Sequence, residues 1–543
     1  ETFADLYIIT KDKKYLEAAE KLSHLRLLNP LLKKEDKLTG LHANTQIPKV
    51  IGYEKIGHLT HNADWENAAE YFWHNVTEKR SVAFGGNSYR EHFNPTDDFK
   101  KMLESNQGPE TCNSYNMLRL SMALFLNNND VSYLDFYERA LYNHILSTQQ
   151  PEKGGFVYFT PIRPNHYRVY SQPETSMWCC VGSGLENHSK YGELIYSHSE
   201  NDVYVNLFIP SELNWKEKGI ALIQTNNFPD ENATELKLKL KKSKTFSVNI
   251  RYPEWAKNIK ILVNGKAETF KGNPSQYINL NRKWKDGDKI SFQFTVETKL
   301  EYLPDGSNWA AFVRGPIVLA AETSTKDQTG LYADNSRMGH ETRGKLYPIN
   351  EAYALVDESK DYISKLQTID NMNFKLDSLT LQPFYQIHDA RYQMYFQTFT
   401  QKEYENQKEI QKQQEAKMIA LEAITVDKIN CGEQQPEVDH EYKGEQSNSG
   451  YDDDKFWRST RSYISYKLQN KNNAGKYIEI STIDAIDTKK FEVLINDFAV
   501  EIDSVVKNAI RIKTPKSESI NLKIVAKEKT PTPRFYQIRI LKQ

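Results

Sequence analysis

Near residue 198 the hydrophobic period of the chain changes, and that change constrains the fold more than any other feature. Upstream, apolar residues recur at spacings of three and four, the pattern of one buried helix face. "ETFADLYII" and "KKYLEAAEKL" form a first pair of helical segments, split by a polar turn. "ANTQIPKVIGYEKIG" and "DWENAAEYFWHNV" form a second pair, and "TCNSYNMLRLSMALFL" and "SYLDFYERALYNHIL" a third. A last helix, "GSGLENHSKYGELIYS", is expected after an adjacent pair of cysteines. Short turns within pairs and longer connections between them predict stacked α-hairpins, about half of an (α/α)6 ring. Downstream the period is two, in "DVYVNLFI", "TELKLKLKK", "KTFSVNIRY", "KISFQFTVE" and "AAFVRGPIVLAAE". Asn264-Gly265 supplies a hairpin turn, because both residues tolerate positive φ.

The expected fold class is therefore a multidomain α + β chain, a partial (α/α)6 barrel followed by antiparallel β-sandwich domains. Four regions are expected. Residues 1–198 form the helical half-barrel and 199–322 a β-sandwich. Residues 323–419 form an accessory β region plus a polar connector helix, "QKEYENQKEIQKQQEAKM", and 420–543 a C-terminal sandwich. "ETFADLYIIT" reads as a helix already under way, so further helices are expected ahead of residue 1.

The charge balance excludes some partners. Lys plus Arg number 71 against 72 Asp plus Glu, a formal charge of −1. Without basic blocks, nucleic acid and anionic membranes are not the expected partners. No apolar run reaches membrane-spanning length. Four cysteines, Cys112, Cys179, Cys180 and Cys431, are too few for a disulfide scaffold.

Two of those four cysteines are adjacent, in "MWCCVGSGLENHSKY". Glu110 and Cys112 lie in "GPETCNSYNML", where Pro109 suits the first turn of a helix and the helix dipole favours anions. One carboxylate and three thiols make a ligand set soft enough for Zn²⁺. The spacing matches no zinc finger or ribbon, and buried thiols or one disulfide remain the alternative. Glu91 in "GGNSYREHF", Glu138 in "YERALYN", Tyr158 in the strand-like "FVYFTP" and His42 at a helix start in "GLHANTQIPK" could each carry chemistry. Each is equally readable, taken alone, as a solvated charge, a cap or a packed ring.

Taken in order, "LHANTQIPKVIG", "GGNSYREHF", "GPETCNSYNMLRL", "FYERALYNHIL", "FVYFTP" and "WCCVGSGLE" resemble the β-L-arabinofuranosidases of glycoside hydrolase families 127 and 146. The later segments "AAFVRGPIVLAAE", "PFYQIHDARYQMYF" and "GEQQPEVDHEY" extend the resemblance over nearly the whole chain. It implies a catalytic (α/α)6 barrel backed by β-sandwiches, and a zinc site at Glu110, Cys112, Cys179 and Cys180. It further implies Cys179 as nucleophile and Glu91 as general acid/base, with His42, Glu138 and Tyr158 touching the sugar. Cys180 is expected to keep hold of the metal when Cys179 leaves it. An apolar wall or a neighbouring anion is expected around Glu91, to raise its pKa for proton donation. The expected substrate is an oligo- or polysaccharide bearing terminal L-arabinofuranose, and the resemblance suggests a periplasmic or secreted setting. The alternatives are a glycosidase of another sugar with a structural zinc site, and a non-catalytic carbohydrate-binding protein.

Overall fold

The computed structural model describes the backbone of residues 1–543 and every side chain except that of Gln414. It divides into two compact units, one of residues 1–335 and 339–408, the other of residues 336–338 and 409–543.

The first unit opens with nine α-helices: α1 (Thr2–Thr10), α2 (Lys13–Lys21), α3 (Leu25–Leu32), α4 (Ala43–Thr60), α5 (Ala63–Lys79), α6 (Lys100–Glu104), α7 (Thr111–Asn128), α8 (Ser132–Ala140) and α9 (Cys179–Ser189). α3 and α6 were not evident in the periodicity, because eight and five residues carry too few turns to show a face. α4 ends at His61 and α7 at Asn129, both in the left-handed conformation that closes a helix. The Asn62 side chain caps α5 by accepting from the Asp64 N–H. One core joins α3, α4, α5, α7 and α8, and includes Ile47, Val50, Phe72, Met117, Leu120 and Leu134. Ile9, Leu22 and Leu126 lie on the exposed side.

Three expectations about this region change. α8 does not continue as an α-helix through Leu146; it widens into a π-helical turn over Leu141–Ile145. The cysteine pair does not precede the last helix but opens it, with Trp178 as its N-cap residue. "FVYFTP" is not a regular strand. Its backbone makes single bridges, Val157 to Tyr170 and Phe159 to Glu110.

Behind the helices lies a sandwich of two sheets. Strands Tyr196–His198, Val203–Val205, Lys244–Tyr252 and Gln276–Trp284 make one. The other has six strands between Ser211 and Val296. In Ala233–Leu240, Leu236, Leu238 and Leu240 point inward and Lys237 and Lys239 outward, the period-two signature. One pair, Val203–Val205 with Lys244–Tyr252, runs parallel. Strands Trp309–Arg314 and Ile317–Ser324 do not close this sandwich as expected. They pair with Tyr395–Phe399 and Leu379–Pro383, and belong to a separate nine-stranded sheet spanning Thr298–Phe399. Their sequence, "WAAFVR" and "IVLAAE", is buried on both faces, so hydrophobicity alone could not tell which sheet they join.

The polar helix Gln401–Ile424 leads into the second unit. There ten strands between Thr425 and Leu541 form one continuous sheet folded over a single core that includes Ile464, Ile480, Val493, Ile512, Leu522 and Ile538.

Candidate active site

Two helix N-termini converge in the first unit, and between them they carry all four residues of the expected ligand set. Glu110 is the N-cap residue of α7 and Cys112 lies in its first turn. Cys179 and Cys180 are the first two residues of α9. The partial positive charge of each helix end thus faces thiols and a carboxylate, which favours their ionised forms. Pro109 precedes the N-cap rather than standing in the first turn.

The entry to α7 is fixed by the chain beside it. The Thr111 N–H donates to the Tyr158 carbonyl at 3.0 Å, and the Thr160 N–H to the Pro109 carbonyl at 3.0 Å. The Thr111 hydroxyl donates to the Val157 carbonyl at 2.7 Å. Gly108 makes this approach possible, since a Cβ there would stand 2.2 Å from the Thr160 carbonyl oxygen. Tyr158 is placed beside Glu110 by the same contacts.

One ligand atom from each of Glu110, Cys112, Cys179 and Cys180 lies within 4.8 Å of all the others. The Cys112 and Cys180 sulfurs are 3.2 Å apart, and Cys179 Sγ is 4.0 Å from Cys180 Sγ. Glu110 Oε1 is 3.9 Å from both Cys179 and Cys180. Ser183 Oγ touches Cys112 Sγ at 3.1 Å. Glu110, Cys112 and Cys180 are buried, while Cys179 is exposed. Among the described residues no side chain donates to Glu110 Oε2, which is buried. A largely buried cluster of three thiols and a carboxylate, with no arginine or lysine among them, is suited to a metal ion.

The protonation of the group reflects that surplus of acids. Burial pushes Glu110 well above the usual carboxylate range, and Cys179 and Glu91 push it further. Cys112 is raised chiefly by its hydrogen bond with Cys179. Burial raises Cys180, and its two neighbouring thiols add to the effect. Cys179 goes the other way: thiol hydrogen bonds from Cys112 and Cys180, with help from Tyr158, draw it down to about 2. The exposed sulfur of the four is therefore also the one most easily ionised.

Glu91 stands at the mouth of this group. The turn that carries it has Ser88, Arg90 and Glu91 all at positive φ, of 72°, 48° and 67°. Such conformations are strained for side chains of this kind and persist when surrounding contacts hold them. Here the Ala43 N–H donates to the Glu91 carbonyl at 2.8 Å and the Phe93 N–H to the Leu41 carbonyl at 3.0 Å, which clamps the turn onto the chain entering α4. His42 is thereby brought beside Glu91, with Nε2 and Oε2 3.7 Å apart. Burial holds the His42 imidazole below its usual range, so the ring is neutral at physiological pH, and its buried Nδ1 has no partner among the described residues. The Tyr158 hydroxyl donates to Glu91 Oε1 and lies 3.7 Å from Cys179 Sγ. The Glu91 charge reaches the same group, where it is one of the influences that raise the Glu110 carboxyl.

Seven of the eight residues singled out in the sequence are thus assembled. Glu138 is not brought to this group. It is fully buried, and its Oε2 is taken by Arg251 at 2.5 Å and by the Trp255 Nε1–H at 2.7 Å, both from the sandwich. Sequence reasoning missed Trp178, Ser183 and His340. Trp178 adjoins the cysteine pair, and Ser183 lies one helical turn beyond Cys179 and Cys180, so both could have been found. His340 is remote in the chain and gave no signal.

The model of the β-L-arabinofuranosidase GH127 catalytic domain matches residues 1–193, and that of the GH127 middle domain residues 202–296. The chain belongs to glycoside hydrolase family 127. As a member of that family it is a β-L-arabinofuranosidase-like glycoside hydrolase, acting on glycans. Two models of domains of unknown function match residues 299–398 and 420–541. No curated protein matches this family 127 chain. Among solved structures it resembles one described as a glycoside hydrolase, at 18% identity and a TM-score of 0.57, over 73% of this chain and 74% of that one. It also resembles a GH127 β-L-arabinofuranosidase from Geobacillus stearothermophilus T6, at 16% identity and 0.55, over 73% and 71%. A third, a GH127 β-arabinofuranosidase, gives 21% and 0.54, over 73% and 69%. These three share its fold. No helix among the described residues is long and apolar enough to cross a membrane.

Proposed function

We propose that this glycoside hydrolase releases terminal β-L-arabinofuranose from plant-type glycans by a retaining double displacement, with Cys179 as nucleophile and Glu91 as general acid/base. The observation that carries the reading is the meeting of an exposed, readily ionised thiol with Glu91 across one tyrosine hydroxyl, at the mouth of an otherwise buried ligand set. Glu110, Cys112, Cys179 and Cys180 would hold Zn²⁺, which when bound supplies the positive charge that keeps buried thiols ionised at neutral pH.

In the first displacement the Cys179 sulfur bonds to the anomeric carbon as the bond from that carbon to the glycosidic oxygen breaks. Glu91 gives its proton to the departing oxygen, and the aglycone leaves as an alcohol. In the second, Glu91 takes a proton from water while the water oxygen displaces sulfur, returning the thiolate and freeing the sugar. Two inversions retain the configuration. The neutral His42, with Nδ1 unpartnered in a buried position, is suited to a sugar hydroxyl. The Tyr158 hydroxyl, shared between Glu91 and the thiol, holds the two reacting groups in register.

Hydrolysis of a panel of aryl L-arabinofuranosides tests this. The β-anomer is expected to be cleaved, with Glu91→Gln slower by about 10²–10⁴-fold, the usual weight of a general acid/base. Cys179→Ser should abolish turnover, and the wild type quenched with a slow substrate should carry one sugar mass on Cys179. Normal turnover by Cys179→Ser would sink the proposal.

A further inference from the structure

The 299–398 region, which matches the model of a domain of unknown function, sends a loop into the site just described. Its His340 is buried and stacks on Tyr158, with ring centroids 4.3 Å apart and planes at 23°. The same imidazole lies 5.5 Å from the Trp178 ring, edge to face, and 5.6 Å from Phe159. Tyr158 is thus held on one side by the backbone entering α7 and on its ring face by His340.

The loop that carries His340 is pinned rather than draped. Glu341 accepts from the Gln107 side chain at 2.5 Å, just ahead of Gly108 and Glu110. The Thr342 hydroxyl pairs with His166 at 2.7 Å. Arg391, fully buried, donates to the carbonyls of Lys326 at 2.8 Å and Lys345 at 2.9 Å, tying together both ends of the loop. Gly344 is needed where those ends meet, since a Cβ there would fall 2.1 Å from the Asp327 carbonyl oxygen. A buried guanidinium committed to loop carbonyls fixes where the neighbouring imidazole stands.

We infer that His340 is a positioning residue of the active site, which orients the Tyr158 ring so that its hydroxyl spans Glu91 and Cys179, and that the 299–398 region thereby completes the catalytic centre. The Tyr158 hydroxyl lies on the axis of the Cβ–ring bond, so it is rotation about Cα–Cβ that swings it out of register, and a side chain packed on the ring face blocks that swing. His340 is that side chain. Because the imidazole acts on the ring and not on the reacting atoms, its effect reaches catalysis only through the tyrosine hydroxyl. The inference rests on the roles proposed above for Tyr158, Glu91 and Cys179.

A double-mutant cycle and a crystal structure test it separately from that reading. His340→Ala should lower kcat by about 3- to 10-fold with little change in KM, the weight of one aromatic stack. His340→Phe should restore most of the loss. In a Tyr158→Phe background, His340→Ala should cost nothing further; an equal loss in both backgrounds overturns the inference. The cycle uses whichever aryl glycoside of the panel the wild type cleaves. A wild type inactive on β-L-arabinofuranosides but active on another sugar therefore sinks the substrate reading and leaves the cycle intact. The crystal structure of His340→Ala needs no turnover at all. The Tyr158 hydroxyl should have left Glu91, and an unmoved Tyr158 overturns the inference whatever the activity.

Discussion

Glu110 and Glu138 are both acids in the helical region, exposed by 1% and 0%, yet their surroundings are opposite. Glu138 meets the buried Arg251, which also pairs with Asp135 at 3.4 Å, and Ser275 donates to the second Asp135 oxygen at 2.8 Å. Burial opposes the charge of Arg251, and the two carboxylates outweigh it. Glu110 meets three thiols and the field of Glu91, with no cationic side chain in the group. Glu110 and its three thiols are instead grouped so that they could hold a metal ion. The comparison separates an acid paired across two layers of the fold from one gathered with three thiols.

Removing the metal breaks the comparison most sharply. One bound ion per chain is expected by elemental analysis, lost in Cys112→Ala, Cys180→Ala and Glu110→Gln and kept in Arg251→Leu. Stripping with a strong chelator should abolish hydrolysis and lower the unfolding temperature, and added Zn²⁺ should restore both. A metal-free wild type with full activity would erase the distinction between the two acids.

The order of elements was readable because long segments announce their period: α4, α5 and α7 each run 17 or 18 residues. The partnership of strands was less readable. Trp309–Arg314 and Ile317–Ser324 are apolar on both faces, and nothing local says that they pair with residues about 60 to 90 positions onward rather than with the sandwich before them. At the site, Glu110, Cys112, Cys179 and Cys180 could be suspected as soft ligands, but only the convergence of two helix N-termini shows that they meet. Glu138 was misleading for a physical reason. A glutamate on a helix reads the same whether its partner is a sugar or an arginine from a strand more than a hundred residues away. His340 was silent because its role arises entirely from a tertiary stack.

Arg251→Leu tests the other half of the comparison. It leaves Glu138 and Asp135 buried without their cation, and breaking such a pair on one side costs about 3–5 kcal/mol. Chemical denaturation followed by tryptophan fluorescence should show that loss, since Trp255 donates to Glu138. The folded fraction should keep its metal and its kcat. Asp135, which burial already raises to about 6 with Arg251 in place, should take up a proton more readily in the variant. Loss of the metal in Arg251→Leu would mean that the two acids are not independent.

A third buried acid lies between these extremes and yields the smallest effect. Glu54, on α4, is 2% exposed and accepts from the Asn127 side-chain amide, with no cation bonded to it among the described residues. Burial lifts its carboxyl from 4.5 to about 7, with Lys55 opposing and Glu66 assisting. Between those two values the folded chain holds a proton that the unfolded chain has released. Stability is therefore greatest below pH 4.5 as far as this group is concerned, and falls as pH rises toward 7. At about 1.4 kcal/mol per unit the whole change is at most about 3.5 kcal/mol. Glu54→Gln keeps the amide contact without the titrating proton. The unfolding midpoint of the variant relative to wild type should accordingly rise from pH 5 to pH 8. A difference that stays flat over that range would show that Glu54 keeps its charge in the fold, and that a single amide can do for one buried acid what Arg251 does for two.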